Sequence, residues 1–264
     1  MNIWFLPALL IAAGAVLGAP STARANPQAE VSLLSETDQP RPGSTFFIGI
    51  RIVPAPGWHS YWSNPGDSGI APTIQWKAVP GVRFGPLLHP APTLLTVAGI
   101  ISYVHADEHI LLARVRANPT LKRGALLLIQ ARLIWATCSE SLCVPERTTL
   151  ALNLRVGTGI PNPSANGIER AVQRLPEPMA EGIFRTSAGV IRMEVPKAAQ
   201  LNPAQATFFP HENGIVSPST FQVRSIHGKT QIIGHVAGRT NPLRISGVLS
   251  DGKKSYALSM RKAN

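Results

Sequence analysis

Apolar runs of strand length, cut short repeatedly by proline and glycine, are the feature that most restricts this chain. It has 24 Pro and 22 Gly in 264 residues. Val31 and Leu33 alternate with polar neighbours. Pro40-Arg-Pro42-Gly43 then breaks the chain before residues 45–53, a β-branched and aromatic run too short for a helix. Further strand signals at 73–77, 100–104, 110–117, 125–137 and 147–156 are separated by Pro, Gly, Asn and Asp clusters. Strands at this spacing, with no helical period between them, predict an all-β chain that begins with an antiparallel sandwich of immunoglobulin type.

Gly157-Thr-Gly-Ile-Pro-Asn-Pro163 reads as a boundary. After it Ser164 is predicted to cap a short helix, with Ile168, Ala171, Val172 and Leu175 at helical spacing and Pro176 and Pro178 ending it. Strand signals resume at 190–195, 206–209, 221–226, 230–236, 243–249 and 255–260. The expected organisation is a signal segment at 1–25, a first domain at 26–156, a linker with a short helix at 157–187, and a second, smaller β-sandwich-like domain at 188–264. That second part has no cysteine and no acidic cluster, so it is read as a module without chemistry of its own.

The signal reading rests on an apolar stretch from Ile3 to Leu17 followed by Ala23-Arg24-Ala25, an A-x-A cleavage form. The stretch is short of the roughly 20 residues needed to span a bilayer, and no Lys or Arg precedes it. Export and cleavage after Ala25 are therefore expected, which places the mature chain in an oxidising compartment. The formal net charge is +11, and it is uneven: residues 26–159 carry 11 basic and 8 acidic side chains, residues 160–264 carry 13 and 6. A basic second half could make peripheral contact with an anionic membrane surface, or simply be solvated. Aromatics are not interleaved with Lys and Arg, so nucleic acid is not an expected partner.

The only two cysteines are Cys138 and Cys143. Cys138 ends one predicted strand and Cys143 begins the next, with Ser-Glu-Ser-Leu as a hairpin loop. Facing residues beside such a loop have Cα atoms about 4.5–5.5 Å apart, within disulfide reach. Closing so short a loop restrains the unfolded chain little, since the entropic gain is only about 3 kcal/mol even for 15 residues. With 44% apolar residues the chain can build cores without such a staple. A redox-cycling pair and a structural disulfide both remain open, because C-x4-C is not a specific signature. A third reading is a two-thiolate Cu(I) site, but His105 and His109 lie on another predicted strand or loop and no Met-rich stretch is present. No metal and no cofactor are expected.

Certain residues carry a family resemblance. The run Gly57-Trp-His-Ser-Tyr-Trp-Ser-Asn-Pro-Gly-Asp-Ser-Gly69, with Pro72, Trp76, Ile101-Ser-Tyr-Val104, Trp135-Ala-Thr-Cys138 and Cys143-Val-Pro-Glu146, resembles the N-terminal periplasmic domain of the thiol:disulfide interchange protein DsbD, in the branch that includes ScsB. The likeness covers residues 28–156 and is weaker beyond Gly157, where it rests on stretches such as Ala206-Thr-Phe-Phe-Pro210 and Gly247-Val-Leu249. It implies an immunoglobulin-like fold that passes electrons from a membrane-embedded thiol reductase to thioredoxin-like periplasmic proteins. Cys138 and Cys143 would be the redox pair, Cys143 forming the mixed disulfide and Cys138 resolving it. Residues expected to shield the pair or meet a partner are His59, Tyr61, Trp62, Asn64 and Asp67, then Leu94 and Leu95, and finally Trp135, Glu140 and Pro145. Two departures from the family stand out. The region matching the family's cap loop, residues 87–99, has no acid and no aromatic, and neither a membrane relay nor a thioredoxin-like domain accompanies the pair. The electron source is expected to be a separate protein.

Overall fold

The computed structural model describes residues 28–195, 200–214, 221–236 and 242–263; the signal segment expected at 1–25 lies outside the described residues. Period-two burial sets the first sheet. In β2 (Thr45–Pro54) Phe46, Ile48, Ile50 and Ile52 are buried, and in β8 (His109–Ala117) Leu111, Ala113, Val115 and Ala117 are buried. Side chains two apart share a face of a strand, so both strands present one continuous apolar surface. With β1 (Ala29–Ser35) and β5 (Val82–Leu88) they form an antiparallel sheet in the order β1-β2-β8-β5.

The second sheet is built on β9 (Leu126–Cys138), which buries Leu127, Ile129, Ala131, Leu133 and Trp135. Its order is β10 (Cys143–Arg155), β9, β3 (His59–Gly66), β7 (Ile100–His105) and β6 (Thr93–Val97), with β4 (Thr73–Trp76) pairing β9 further along. Strand β10 is an edge. The inner faces of the two sheets meet in two clusters. Phe46, Ile48 and Val115 pack with Ile129 and Leu154, while Ile50, Ile52 and Leu111 pack with Leu133 and Trp135. Each large aliphatic side chain so buried contributes about 1.5–3 kcal/mol. This is the all-β sandwich that the alternation predicts.

Three strands of the sandwich had no sequence signal. Strand β3 carries Ser, Asn, Pro and Gly, which read as turn formers, and β5 is interrupted by a register shift between Phe84 and Leu87, at Gly85-Pro86. Proline is tolerated at such irregularities because no ladder donor is needed there. The third, β6, is a short edge strand. Helix α1 (Ala165–Gln173) forms where expected, with Ile168 and Ala171 packed on Leu112 of the first sheet. Its start differs from expectation, because the Ser164 side chain makes no cap hydrogen bond. Asn162 takes that role, its Oδ1 accepting the Ser164 N–H at 2.9 Å and its carbonyl the Ala165 N–H at 3.0 Å.

The remaining strands make a third sheet, in the order β14 (Thr207–Pro210), β17 (Arg244–Ser250), β18 (Ser255–Lys262), β12 (Gly182–Ser187), β13 (Val190–Glu194), β16 (Lys229–His235), β15 (Gln222–Ile226), with β11 (Glu177–Pro178) beside β18. It curls around a single core that includes Phe184, Ile191, Phe208, Ile232, Ile245 and Met260, so that its end strands β14 and β15 meet. Strands β11 and β12, inside the stretch read as a linker, pair with β18 in parallel, whereas the other pairings are antiparallel. The third sheet touches the sandwich through Phe209 and Val248, which pack with Trp62, Ile101 and Tyr103.

Candidate functional site

The β9–β10 hairpin closes with the Ser139 N–H donating to the Leu142 carbonyl at 2.8 Å, while Ser139 Oγ accepts the Leu142 N–H at 3.2 Å. The register that follows sets Cys138 opposite Cys143, Cα atoms 4.1 Å apart, and the two are joined as a disulfide. The bond is unequal in its surroundings. Cys138, on a strand flanked on both sides, is 1% exposed, whereas Cys143, on the sheet edge, is exposed. Because Cys138 lies three residues beyond the inward-facing Trp135, it points to the opposite face of the sheet, away from the sandwich core. His59 pairs with Cys138 on the other side, so His59, Cys138 and Cys143 form one row across three strands.

Four buried residues cluster on that outer face: Tyr61, Val104, Ala136 and Cys138, with Leu95 packed against them. Tyr61 Oη lies 3.8 Å from Cys143 Sγ. A disulfide sulfur carries no proton, so the phenol is the donor. Burial pushes the Tyr61 phenol above its usual pKa, which keeps that proton in place. The His59 ring meets Tyr61 edge-on at 5.4 Å, and burial lowers its pKa, favouring the neutral imidazole. Above the Tyr61 ring runs the turn at Gly69, with φ +99°. A Cβ placed there would come within 2.2 Å of the ring carbons, so only glycine lets the backbone lie flat on the aromatic face. The cap region matching residues 87–99 contains β6, and the β6–β7 turn is made by Ala98 and Gly99, at φ 49° and 83°. Leu95 of this hairpin is the part that reaches the disulfide cluster.

Of the residues singled out from sequence, the structure therefore gathers Cys138, Cys143, His59, Tyr61 and Leu95. Pro145 is exposed on β10 two residues beyond Cys143, and Glu140 is exposed at the hairpin tip. Others lie elsewhere. Trp62 faces the third sheet, stacked on His211 at 4.9 Å and edge-on to Phe209. Trp135 is in the sandwich core, its Nε1–H donating to Thr137 Oγ1, which in turn donates to Glu146. Leu94 is 42% exposed. Asp67 ties its loop to β7, accepting the Ile101 N–H at 3.0 Å while its own N–H donates to the Ile101 carbonyl at 2.8 Å. Asn64 is buried and donates to the Pro210 carbonyl at 2.7 Å. Sequence reasoning missed Val104, Ala136 and Gly69. Alternation from Cys138 would have found Ala136, but nothing local marks the other two.

His105 and His109 stack at 4.4 Å in a separate buried group. His109 Nδ1–H donates to the Asp107 carbonyl at 2.9 Å, burial lowers its pKa to about 4 and so favours the neutral ring, and in that tautomer Nε2 accepts from Ser60 Oγ at 3.0 Å. Among the described residues no group of three or more His, Cys, Asp or Glu side chains could hold a metal ion.

Comparison with known proteins adds four findings. Residues 30–155 match the family described as thiol:disulfide interchange protein DsbD, N-terminal. The crystal structure of the N-terminal periplasmic domain of ScsB from Proteus mirabilis is 18% identical in sequence, and the match covers 92% of this chain and 97% of that one at a TM-score of 0.67. That likeness is one of fold. The major pilin subunit BcpA of Bacillus cereus, in variant form, reaches a TM-score of only 0.26 at 8% identity over 89% of this chain and 66% of its own, too low to carry an argument. No curated protein matches the chain.

Proposed function

Residues 30–155 belong to the family of the N-terminal domain of the thiol:disulfide interchange protein DsbD, and on that premise we propose that this chain relays electrons through the Cys138–Cys143 pair. The donor is a membrane-embedded thiol reductase and the acceptors are thioredoxin-like proteins. The ScsB domain is periplasmic by its description, and we place this chain in the same compartment. Among the described residues no helix is long and apolar enough to cross a membrane.

One observation carries the reading: a single disulfide joins an exposed sulfur to a buried one. A thiolate of the donor's dithiol attacks Cys143 Sγ, the only end it can reach. The Cys138–Cys143 bond breaks and its electron pair leaves on Cys138, which takes up a proton. The donor's second thiolate then attacks its own sulfur in the mixed disulfide and expels Cys143, which is protonated in turn. Two electrons and two protons have entered this chain, and the donor departs as a disulfide. In the onward step a Cys143 thiolate attacks the acceptor's disulfide. Cys138 then resolves the mixed disulfide by re-forming the intramolecular bond, releasing the acceptor as a dithiol. The Tyr61 hydroxyl, next to Cys143 Sγ, is placed to donate to that sulfur while it carries negative charge.

The test is a Cys138→Ser variant, which leaves Cys143 to trap a partner. Recovery of a mixed disulfide through Cys143, with a wild-type reduction potential well above about −300 mV, is the expected result. A potential below about −300 mV, with no trapped partner, would identify a structural bond and overturn the relay.

A further inference from the structure

The third sheet has no cysteine, yet it grips the strand that carries Tyr61. Between Tyr61 and Gly66 strand β3 takes five steps while β7 takes two, from Val104 to Ser102. Residues 62–65 therefore arch away from β7. Both feet of the arch are fixed. Tyr61 pairs with Val104 at one end, and at the other Gly66 sits so close to the Ile101 carbonyl that a Cβ would lie 2.5 Å from it. The crown of the arch is held by the third sheet. Asn64 Nδ2 donates to the Pro210 carbonyl at 2.7 Å, while Asn64 Oδ1 accepts the Gly66 N–H at 2.9 Å. Trp62 is fully buried between Tyr103, Phe209 and His211, and Phe209 also meets Tyr103 edge-on at 5.2 Å.

Tyr61 and Trp62 are consecutive and point to opposite faces of the same strand. One ring covers the disulfide and the other is seated in the third sheet. Their backbone is shared, so Trp62 cannot shift without moving Tyr61. The loop that continues from Gly66 returns to place Gly69 against the Tyr61 ring, so the arch steers Tyr61 from both sides.

We infer that Asn64 and Trp62 are positioning residues through which the third sheet holds Tyr61 over Cys143 and thereby sets how readily a thiolate reaches that sulfur. This gives the third sheet a role in disulfide exchange without a reacting group of its own, and it rests on the relay reading above.

The decisive variant is Asn64→Asp. It keeps the acceptor for the Gly66 N–H but replaces the donor to Pro210 with an oxygen facing a carbonyl, so it breaks only the link between sheets. The readout is the second-order rate of reduction of the oxidised protein by dithiothreitol, a small dithiol that needs no docking surface. Loss of one hydrogen bond's net worth in holding the cover should raise the rate about fivefold. Tyr61→Phe, which removes only the hydroxyl at Cys143, is measured alone and combined with Asn64→Asp. If the arch acts through Tyr61, the two changes are non-additive and the double variant is slower than the product of the single effects. His211→Ala, at an exposed residue stacked on Trp62, should raise the rate in the same direction by a smaller factor and keeps the test informative should Asn64→Asp fail to fold. Rates within twofold of wild type for both Asn64→Asp and His211→Ala, or strict multiplication in the double variant, would overturn the inference. A Cys138→Ser variant that traps no partner would sink the relay and leave this coupling standing, because the dithiothreitol rate does not depend on a partner.

Discussion

Replacing Gly69 with alanine should cost this protein as much as a core substitution, although Gly69 itself is exposed. Two effects combine. At φ +99° an L side chain is strained, by about 1–2 kcal/mol. The new Cβ would also stand 2.2 Å from two Tyr61 ring carbons, more than 1 Å inside ordinary contact. Tyr61 cannot swing clear, being 2% exposed and packed by Val104, Ala136, Cys138 and Leu95. Overpacking of this kind costs about 1–3 kcal/mol, so the total should be about 2–5 kcal/mol. Relief comes only by lifting the turn or pushing the ring off Cys143, and either uncovers the disulfide. Urea unfolding of the oxidised protein should report the loss of stability, and dithiothreitol should reduce Gly69→Ala faster than wild type. A loss under about 0.5 kcal/mol with an unchanged reduction rate would refute the argument that the Gly69 backbone seats the ring.

Three other outcomes follow from the geometry. After reduction, iodoacetamide should alkylate Cys143 well before Cys138, and mass mapping that finds equal labelling would contradict the buried and exposed assignment. Removing the bond with a Cys138→Ser, Cys143→Ser double variant should cost under about 3 kcal/mol in thermal or urea unfolding, because the sequence separation it spans is only 5. Burial pushes the His109 pKa from 6.5 down to about 4, so the unfolded chain binds more protons there between those values. Stability should be full above pH 6.5 and fall as the pH drops toward 4, by up to about 3 kcal/mol from this one ring. His89 and His105, shifted the same way by burial, add to the slope. Urea midpoints measured across that range should flatten in His109→Gln, and an unchanged slope would count against the assignment.

The sandwich strands β2, β8 and β9 are readable from the chain because each repeats an apolar residue every second position over seven or more residues. Strand β3 is not, since His59, Ser60, Asn64, Pro65 and Gly66 obey the demands of an arch rather than of a pleated face. The cysteine hairpin was visible in its spacing. Which aromatics surround it was only half visible: counting back from Cys138 puts Trp135 on the opposite face, and the same parity separates Tyr61 from Trp62. The link from Asn64 to Pro210 spans 146 positions and joins a side chain to a carbonyl. No local pattern marks such a pair, because the acceptor is the same on every residue.

Strand β10 has a further consequence, for self-association. The Ser139–Leu142 closure makes Cys138 and Cys143 a pair without mutual backbone bonds, so the amides of 143, 145, 147 and onward point away from β9. An edge this long invites a second copy of the chain to add a strand. Pro145 supplies no N–H at the first site after Cys143, the exposed Arg147 sets a charge at the next, and at the far end the Arg155 N–H is already taken by the Asp38 carbonyl at 2.9 Å. The border that carries the exposed Cys143 is thereby built to resist zipping up with itself.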